Sequence, residues 1–235
     1  MLKVSNLYAS YNRKEIVKDV SLSISPGETV ILMGQNGSGK STMANVLIGN
    51  SNYTLKKGKI ELDKIDITKL PANERVRQGL FLAWQNPMLI PGVSLTKLVV
   101  ELNLQKDISQ AVKNLRKFAR ELDLAESFLT RGLNDGFSGG ERKKLEMLQA
   151  LMFAKKYVIF DEIDTGLDVD ALKQIAKQIN KLKKRGIGSL VITHYQGLLK
   201  LLSVDRVLVF KNGQIVKQGT VSLADKIQKH GYSSI

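Results

Sequence analysis

The 235-residue chain carries 36 Lys and Arg against 22 Asp and Glu, a formal net charge of +14. It contains no cysteine, which excludes disulfides and thiolate metal sites, and no apolar run near the roughly 20 residues of a membrane span. Its lysines are spread along the chain or cluster in predicted helices, so we interpret the charge as a solvated surface. We therefore expect a cytoplasmic protein with neither stable nucleic-acid binding nor direct membrane insertion.

The first third of the chain contains short strand patterns separated by turns. Residues 2–8 and 20–25 alternate apolar and polar side chains, and residues 58–67 have the pattern of a strand, a turn and a short strand. These segments predict an antiparallel layer beside a nucleotide-binding core.

Residues 34–41 match the phosphate-binding loop, a glycine and four further residues followed by Gly-Lys-Ser. The apolar run at 30–33 predicts a strand before the loop, and residues 42–48 predict a helix after it. Glycines let backbone N–H groups surround a triphosphate, and the helix N-terminus adds a positive dipole end. The alternative, a dinucleotide-binding turn, would need Gly or Ala where Thr42 stands.

Two side chains of this loop have specific expected roles. Lys40 is expected to contact the β- and γ-phosphates, and the Ser41 hydroxyl to bind Mg²⁺. The predicted nucleotide-binding residues of the segment are Gly34, Gln35, Asn36, Gly37, Ser38, Gly39, Lys40, Ser41 and Thr42.

A helical section interrupts the strand patterns. Apolar residues recur at helical spacing over residues 97–130, whereas strand and helix patterns alternate again from residue 157 and predict a parallel sheet. Asn212-Gly213 separates two short strands and predicts a closing hairpin. We therefore expect one α/β P-loop NTPase domain over residues 1–235. Its mainly parallel core (1–86 and 155–235) carries an antiparallel β subdomain and receives an inserted helical subdomain (87–154).

The apolar run 157–160 ends in two carboxylates, Asp161 and Glu162. A strand buried on both faces carries acids only at its exposed end. Asp161 is expected to hold Mg²⁺ opposite Ser41, and Glu162 to polarise the water that attacks the γ-phosphate.

The sequence Ser138-Gly139-Gly140-Glu141 precedes an amphipathic helix. Ser138 could be a simple N-cap, but an N-cap does not explain two consecutive glycines. The segment resembles the signature motif of ABC-type ATPases. That resemblance implies an ATP- and Mg²⁺-dependent ATPase in which Ser138, Gly139 and Gly140 contact the ATP of a second cassette, in a transient homodimer or paired cassettes.

Further positions match the same family. The resemblance implies that Gln85 is the Q-loop residue that senses Mg²⁺ and couples to a partner, and that Asp168 belongs to the interfacial D-loop. Asp168 is also a good N-cap, and both roles are compatible. His194, after the predicted strand 189–193, corresponds to the γ-phosphate switch residue. Tyr11 lies where the family stacks an aromatic ring on adenine, with Tyr8 as the competing residue.

Within this family the chain resembles the SufC group of iron–sulfur cluster assembly ATPases. The shared segments are Ile-Pro-Gly-Val-Ser at 90–94, a signature with Glu141 where transporters usually have Gln, the D-loop region 161–173, and Thr-His-Tyr-Gln at 193–196. The resemblance implies ATP-driven cluster assembly on a scaffold of SufB- and SufD-like proteins. The alternative is the ATP-binding subunit of an ABC transporter. The helical section and the segment 85–96 are the expected docking face for the partner, because the apolar, proline-containing stretch 87–91 would otherwise be exposed. The alternative is that these side chains pack under the helical section.

Overall fold

The computed structural model describes residues 1–102 and 107–232. Its elements, in chain order, are β1 (Leu2–Tyr11), β2 (Lys14–Ile24), β3 (Thr29–Met33), α1 (Lys40–Ile48), β4 (Tyr53–Leu62), β5 (Ile65–Asp66), α2 (Ala72–Gln78), β6 (Leu80–Ala83), β7 (Ile90–Ser94), α3 (Leu95–Glu101), α4 (Ile108–Glu121), α5 (Ser127–Thr130), β8 (Gly132–Leu133), α6 (Gly139–Phe153), β9 (Tyr157–Asp161), α7 (Val169–Lys184), β10 (Gly188–Ile192), α8 (Gln196–Leu201), β11 (Arg206–Lys211), β12 (Gln214–Gly219) and α9 (Val221–His230).

The central sheet has the strand order β12-β11-β3-β10-β9-β6. All neighbours are parallel except the β11–β12 hairpin at one edge. Every residue of β3, β9 and β10 is buried, as expected of strands covered on both faces. Because these strands are parallel, their carboxyl ends lie at one edge, where the phosphate loop, the two carboxylates and His194 follow.

A second, antiparallel sheet has the order β2-β1-β4-β5. Leu2 on β1 pairs with Ile24 on β2 and with Leu62 on β4. The buried side chains of this sheet join those of α1 and one face of the central sheet in a single hydrophobic cluster. The antiparallel layer predicted from the sequence is confirmed.

The section between β6 and β9 is mainly helical, as expected, but it also contains a small sheet. β7 pairs antiparallel with β8, with Ile90 opposite Leu133 and Ser94 opposite Gly132. The strand pattern is weak in the sequence because β7 contains proline and glycine and β8 has two residues. Residues 103–106 of the predicted helical section lie outside the described residues.

The helical section shares its core with the central sheet. Leu115 of α4 and Leu145 of α6 belong to the same buried cluster as Phe160 of β9. α6 therefore packs against the sheet directly behind the carboxylates at the end of β9. Over residues 1–102 and 107–232, no helix is both long enough and apolar enough to cross a membrane.

Candidate active site

The phosphate loop follows β3 directly and ends at the first turn of α1. A Cβ added at Gly34 would lie 2.3 Å from the carbonyl oxygen of Phe210, so the loop passes too close to β11 for any side chain. Gly39, the N-cap of α1, has φ +105°, a conformation that side chains rarely adopt. Packing and backbone conformation therefore require glycine at these two motif positions.

The Lys40 ammonium is buried and donates to two carbonyl oxygens of its own loop, Gly34 O at 2.8 Å and Gln35 O at 3.0 Å. Burial lowers the pKa of Lys40, and the neighbouring carboxylates Glu162 and Asp161 oppose that shift. Phosphate oxygens are stronger acceptors for an ammonium than these carbonyls, so a bound triphosphate would compete for the same donor.

Ser41 and Asp161 lie together, as predicted. The Ser41 hydroxyl donates to Asp161 Oδ1 at 3.0 Å. Burial, the largest influence, raises the pKa of Asp161 to about 6, and the charge of Glu162 adds to the rise. A divalent cation would offset both effects, and a hydroxyl beside a carboxylate supplies the oxygen ligands that Mg²⁺ requires. These two residues therefore fit the metal.

The third predicted magnesium residue has a different contact. The Gln85 side-chain amide donates to Glu162 Oε2, and no described contact joins it to Ser41 or Asp161. His194 approaches the other carboxylate oxygen, with Nδ1 4.0 Å from Glu162 Oε1. The His194 side chain is 52% exposed, which leaves one face accessible to a ligand. The structure thus brings the three predicted catalytic residues, Glu162, His194 and Gln85, into one group.

Glu162 has a left-handed backbone, with φ +50°. Its N–H donates to Ile192 O at 3.0 Å, which joins the end of β9 to the end of β10. A non-glycine residue in this region of φ is uncommon and costs conformational energy, so the surrounding contacts must hold it. The constraint orients the carboxylate toward the phosphate loop.

Two residues of α6 hold this group, and the sequence analysis did not find them. The buried Lys143 ammonium donates to Gln85 O at 2.6 Å and to Glu162 O at 2.9 Å. One turn later, Glu146 Oε2 accepts the Trp84 N–H at 3.0 Å. Burial lowers the pKa of Lys143 and raises that of Glu146 to about 7. The sequence feature that could have identified Lys143 and Glu146 is a pair of opposite charges at i and i+3 within an otherwise apolar helix face.

A pocket of about 390 Å³ lies beside the loop. It is lined by Ile16, Asn36, Gly37, Gly39, Lys40, Ser41, Thr42, Gln85 and Glu162. The phosphate loop, Gln85 and Glu162 therefore face one space. Ile16 is the pocket residue that the sequence did not predict, because it belongs to no motif. It lies on β2 and reaches the pocket beside Gly39.

The Ser-Gly-Gly segment lies outside that pocket. Ser138 caps α6 in a reciprocal capping box, in which Ser138 Oγ accepts from Glu141 N at 3.3 Å and Glu141 Oε2 accepts from Ser138 N at 2.8 Å. An added Cβ would meet nothing within 4 Å at Gly139, and only Leu167 Cδ2 at 3.8 Å at Gly140. Packing within this chain therefore does not require glycine at positions 139 and 140. That they contact the ATP bound to a second chain stays a prediction.

Asp168 is exposed and is the N-cap of α7, with Oδ1 accepting from Ala171 N at 2.8 Å. The capping role is confirmed, and the interfacial role stays a prediction. The Thr193 hydroxyl donates to Asp164 Oδ2 at 2.6 Å and connects the segment before His194 to the segment before Asp168.

The two adenine candidates have different surroundings. Tyr11 is exposed and packs against Tyr53, with ring centroids 5.0 Å apart. The Tyr8 ring instead faces the Lys57 ammonium at 5.6 Å. Neither ring lines the pocket, so the choice stays a prediction.

Comparison with known proteins agrees with this geometry. The family model for ABC transporters matches residues 17–165. A probable ABC transporter ATP-binding protein of Streptococcus pyogenes serotype M18 is 41% identical over 100% of this chain and 94% of its own length. The probable ATP-dependent transporter ycf16 of Pyropia yezoensis is 43% identical over 100% and 97%. Among solved structures, the ATP-binding subunit of an ABC transporter aligns with TM-score 0.81 and 26% identity, over 98% of this chain and 93% of the other.

Proposed function

The chain belongs to the ABC transporter family and is an ABC-type ATPase; from this premise we propose that it is the cytoplasmic ATPase subunit of an iron–sulfur cluster assembly machinery. In this role it works on a scaffold of SufB- and SufD-like proteins. ATP hydrolysis drives association and separation of two cassettes, and that motion acts on the scaffold.

The observation that carries the proposal is the exposed apolar segment after Gln85. Met88, Leu89 and Ile90 are 79%, 52% and 42% exposed. Contiguous exposed apolar side chains on a surface rimmed by polar residues favour a protein interface. The Ile-Pro-Gly-Val-Ser sequence at 90–94, which resembles the SufC group, overlaps this segment at Ile90. A relative with 43% identity is named probable ATP-dependent transporter ycf16, and the name ycf16 is used for SufC-like proteins.

The proposed mechanism follows from the positions of the side chains. Lys40 and the loop N–H groups bind the β- and γ-phosphates. Ser41 and Asp161 would hold Mg²⁺, which would neutralise phosphate charge. Glu162 accepts a proton from the attacking water, and His194 contacts the γ-phosphate. The exposed Ser138 segment of a second cassette completes the site.

Coupling to the partner uses contacts that exist in the free chain. The exposed apolar residues 88–90, which we call the docking segment, begin three residues after Gln85, whose side chain contacts Glu162 and whose carbonyl accepts from Lys143. A partner bound to residues 88–90 would therefore shift the Glu162 carboxylate through two hydrogen bonds of Gln85, one from its side chain to Glu162 and one from Lys143 to its carbonyl. Nucleotide state and partner contact influence each other by the same route.

The second candidate function is the ATP-binding subunit of an ABC transporter. The printed names of the Streptococcus relatives favour it. In that case the same apolar segment would contact a separate membrane permease. The two candidates share the ATPase chemistry and differ only in the partner.

Affinity purification of the native protein with mass spectrometry tests the proposal. We expect SufB- and SufD-like proteins to copurify with the wild type and to be lost from a variant with Leu89→Asp and Ile90→Asp. A matched control with Ile65→Asp and Val216→Asp, both 46% exposed and outside the segment, should retain them. ATP affinity of each variant reports on folding. Recovery of a membrane permease in place of the scaffold would overturn the proposal in favour of the transporter.

A further inference from the structure

A groove of about 610 Å³ lies beside the docking segment, on the side of α6 that carries Glu146. We call it the α6 groove. It is lined by Ile48, Gly49, Asn50, Ser51, Asn52, Pro71, Ala72, Asn73, Trp84, Asn86, Pro87, Met88, Ile90, Leu133, Asn134, Glu146 and Gln149. Its volume is sufficient for several side chains of a bound polypeptide segment.

The groove has few charged groups in the described part of the chain, and the one charged lining residue is acidic although the chain is basic. Among the described residues that line it, Glu146 is the one charged side chain, although the chain has a net charge of +14. The other polar lining residues are uncharged, and Trp84, Met88 and Ile90 supply exposed apolar surface. The groove therefore suits a ligand that is apolar apart from a single cation.

Glu146 is a buried carboxyl group whose hydrogen bonds come from neutral donors. Oε2 accepts the Trp84 N–H at 3.0 Å, and Oε1 accepts from Gln149 Nε2 at 3.0 Å. Among residues 1–102 and 107–232 no salt bridge to Glu146 occurs, and the nearby Lys143 ammonium donates to Gln85 O and Glu162 O. Burial accordingly raises the pKa of Glu146 to about 7. A buried carboxylate without a paired cation is costly, and a cation in the groove would relieve that cost.

The contacts around Glu146 leave a place for such a cation. The donor to Oε1, Gln149, is itself a groove residue, so an incoming ammonium or guanidinium can take its hydrogen bond. Asn134 supplies a second acceptor. Its Nδ2 donates to Met88 O at 2.8 Å, but its buried Oδ1 has no hydrogen-bond partner in the described part of the chain. The groove thus contains two hydrogen-bond acceptors for a cation: a carboxylate that is paired with a neutral donor, and an amide oxygen without a donor in the described part of the chain.

We propose that the α6 groove binds a segment of the scaffold partner that presents one Lys or Arg between apolar side chains, with the cation paired to Glu146. This rests on the proposed function and adds the chemistry by which the partner is recognised. The apolar side chains of the partner segment contact Trp84, Met88 and Ile90, and the pairing of its cation with Glu146 determines which of its residues face the groove. The other carboxylate oxygen, Oε2, accepts the Trp84 N–H one residue before Gln85, so a shift of Glu146 on pairing would be transmitted to the Q-loop.

Calorimetric titration of the purified SufB–SufD-type scaffold into the ATPase tests the proposal. Glu146→Gln keeps the size and the acceptor oxygen but removes the charge, and we expect the scaffold to bind about tenfold or more weakly. Gln149→Lys places an internal ammonium beside Glu146. It should raise the melting temperature while weakening scaffold binding, because the carboxylate is then already paired. Asp225→Asn, an exposed acid on α9 outside the groove, is the matched control and should bind like the wild type.

The outcomes separate this inference from the proposed function. If both Glu146→Gln and Gln149→Lys bind the scaffold with normal affinity, recognition by charge is overturned. The proposed function still stands in that case, because the wild-type protein binds the scaffold. A wild-type protein that does not bind the scaffold would refute both. Should Glu146→Gln fail to fold, Gln149→Lys decides alone, because it is expected to stabilise the fold: unimpaired binding by that variant contradicts the inference.

Discussion

Lys143 offers a sharp test of how α6 holds the catalytic group. Replacing it with Met preserves the approximate volume but removes the ammonium that donates to Gln85 O at 2.6 Å and Glu162 O at 2.9 Å. Hydrogen bonds from a charged donor contribute about 1.5–3 kcal/mol each, and removal of the buried charge returns part of that energy. Glu162 O retains the bond from Thr165 N at 3.3 Å.

One carbonyl thus loses a bond without compensation, and we expect the variant to be less stable by about 1–3 kcal/mol. For a chain of this size this corresponds to a melting temperature lowered by roughly 2–12 °C. Thermal unfolding without nucleotide measures it. Turnover, followed by phosphate release, should fall as well because Glu162 at φ +50° loses a supporting contact.

Lys144→Met is the matched control, since it removes a lysine from the next position of the same helix. It should change neither quantity appreciably. A Lys143→Met protein with wild-type melting temperature and turnover would refute the reasoning. A lowered melting temperature with intact turnover would show that Lys143 stabilises α6 without positioning Glu162.

Three further outcomes are expected. Lys40→Ala should abolish tight Mg-ATP binding in calorimetric titration, because the loop loses its one ammonium; unchanged affinity would mean that this loop is not the nucleotide site. Glu162→Gln should keep ATP binding, slow hydrolysis by orders of magnitude and accumulate an ATP-dependent dimer in light scattering, and a fully active variant would exclude the catalytic role. The pKa of Glu146 is raised from 4.5 to about 7, so the folded chain binds this proton more tightly than the unfolded chain, and wild-type stability falls as pH rises across that interval. Glu146→Gln should reduce this fall in calorimetric melting and leave the part due to Asp161, whose pKa is also raised, to about 6, so an unchanged pH dependence would contradict the assignment.

Features that depend on adjacent residues could be predicted from the sequence. The phosphate loop needs glycine where the backbone is left-handed or crowded, and it needs a strand and a helix on either side, all within residues 29–48. The buried parallel strands β9 and β10 appear as short apolar runs, and Asn212-Gly213 marks the β11–β12 hairpin. Local backbone requirements and apolar periodicity are sufficient to determine these elements without information on tertiary contacts.

Tertiary structure alone decided which side chains of distant segments meet. Lys143 and Gln85 are separated by 58 positions, and Glu146 and Trp84 by 62, yet these contacts determine how the Q-loop is held. The helical pattern of α6 shows that its charged pair lies on a buried face, but the pattern carries no information about the facing segment. The Ile90–Leu133 pairing and the Tyr11–Tyr53 contact were missed for the same reason. Periodicity reports burial, whereas the choice of partner depends on how the elements pack in three dimensions.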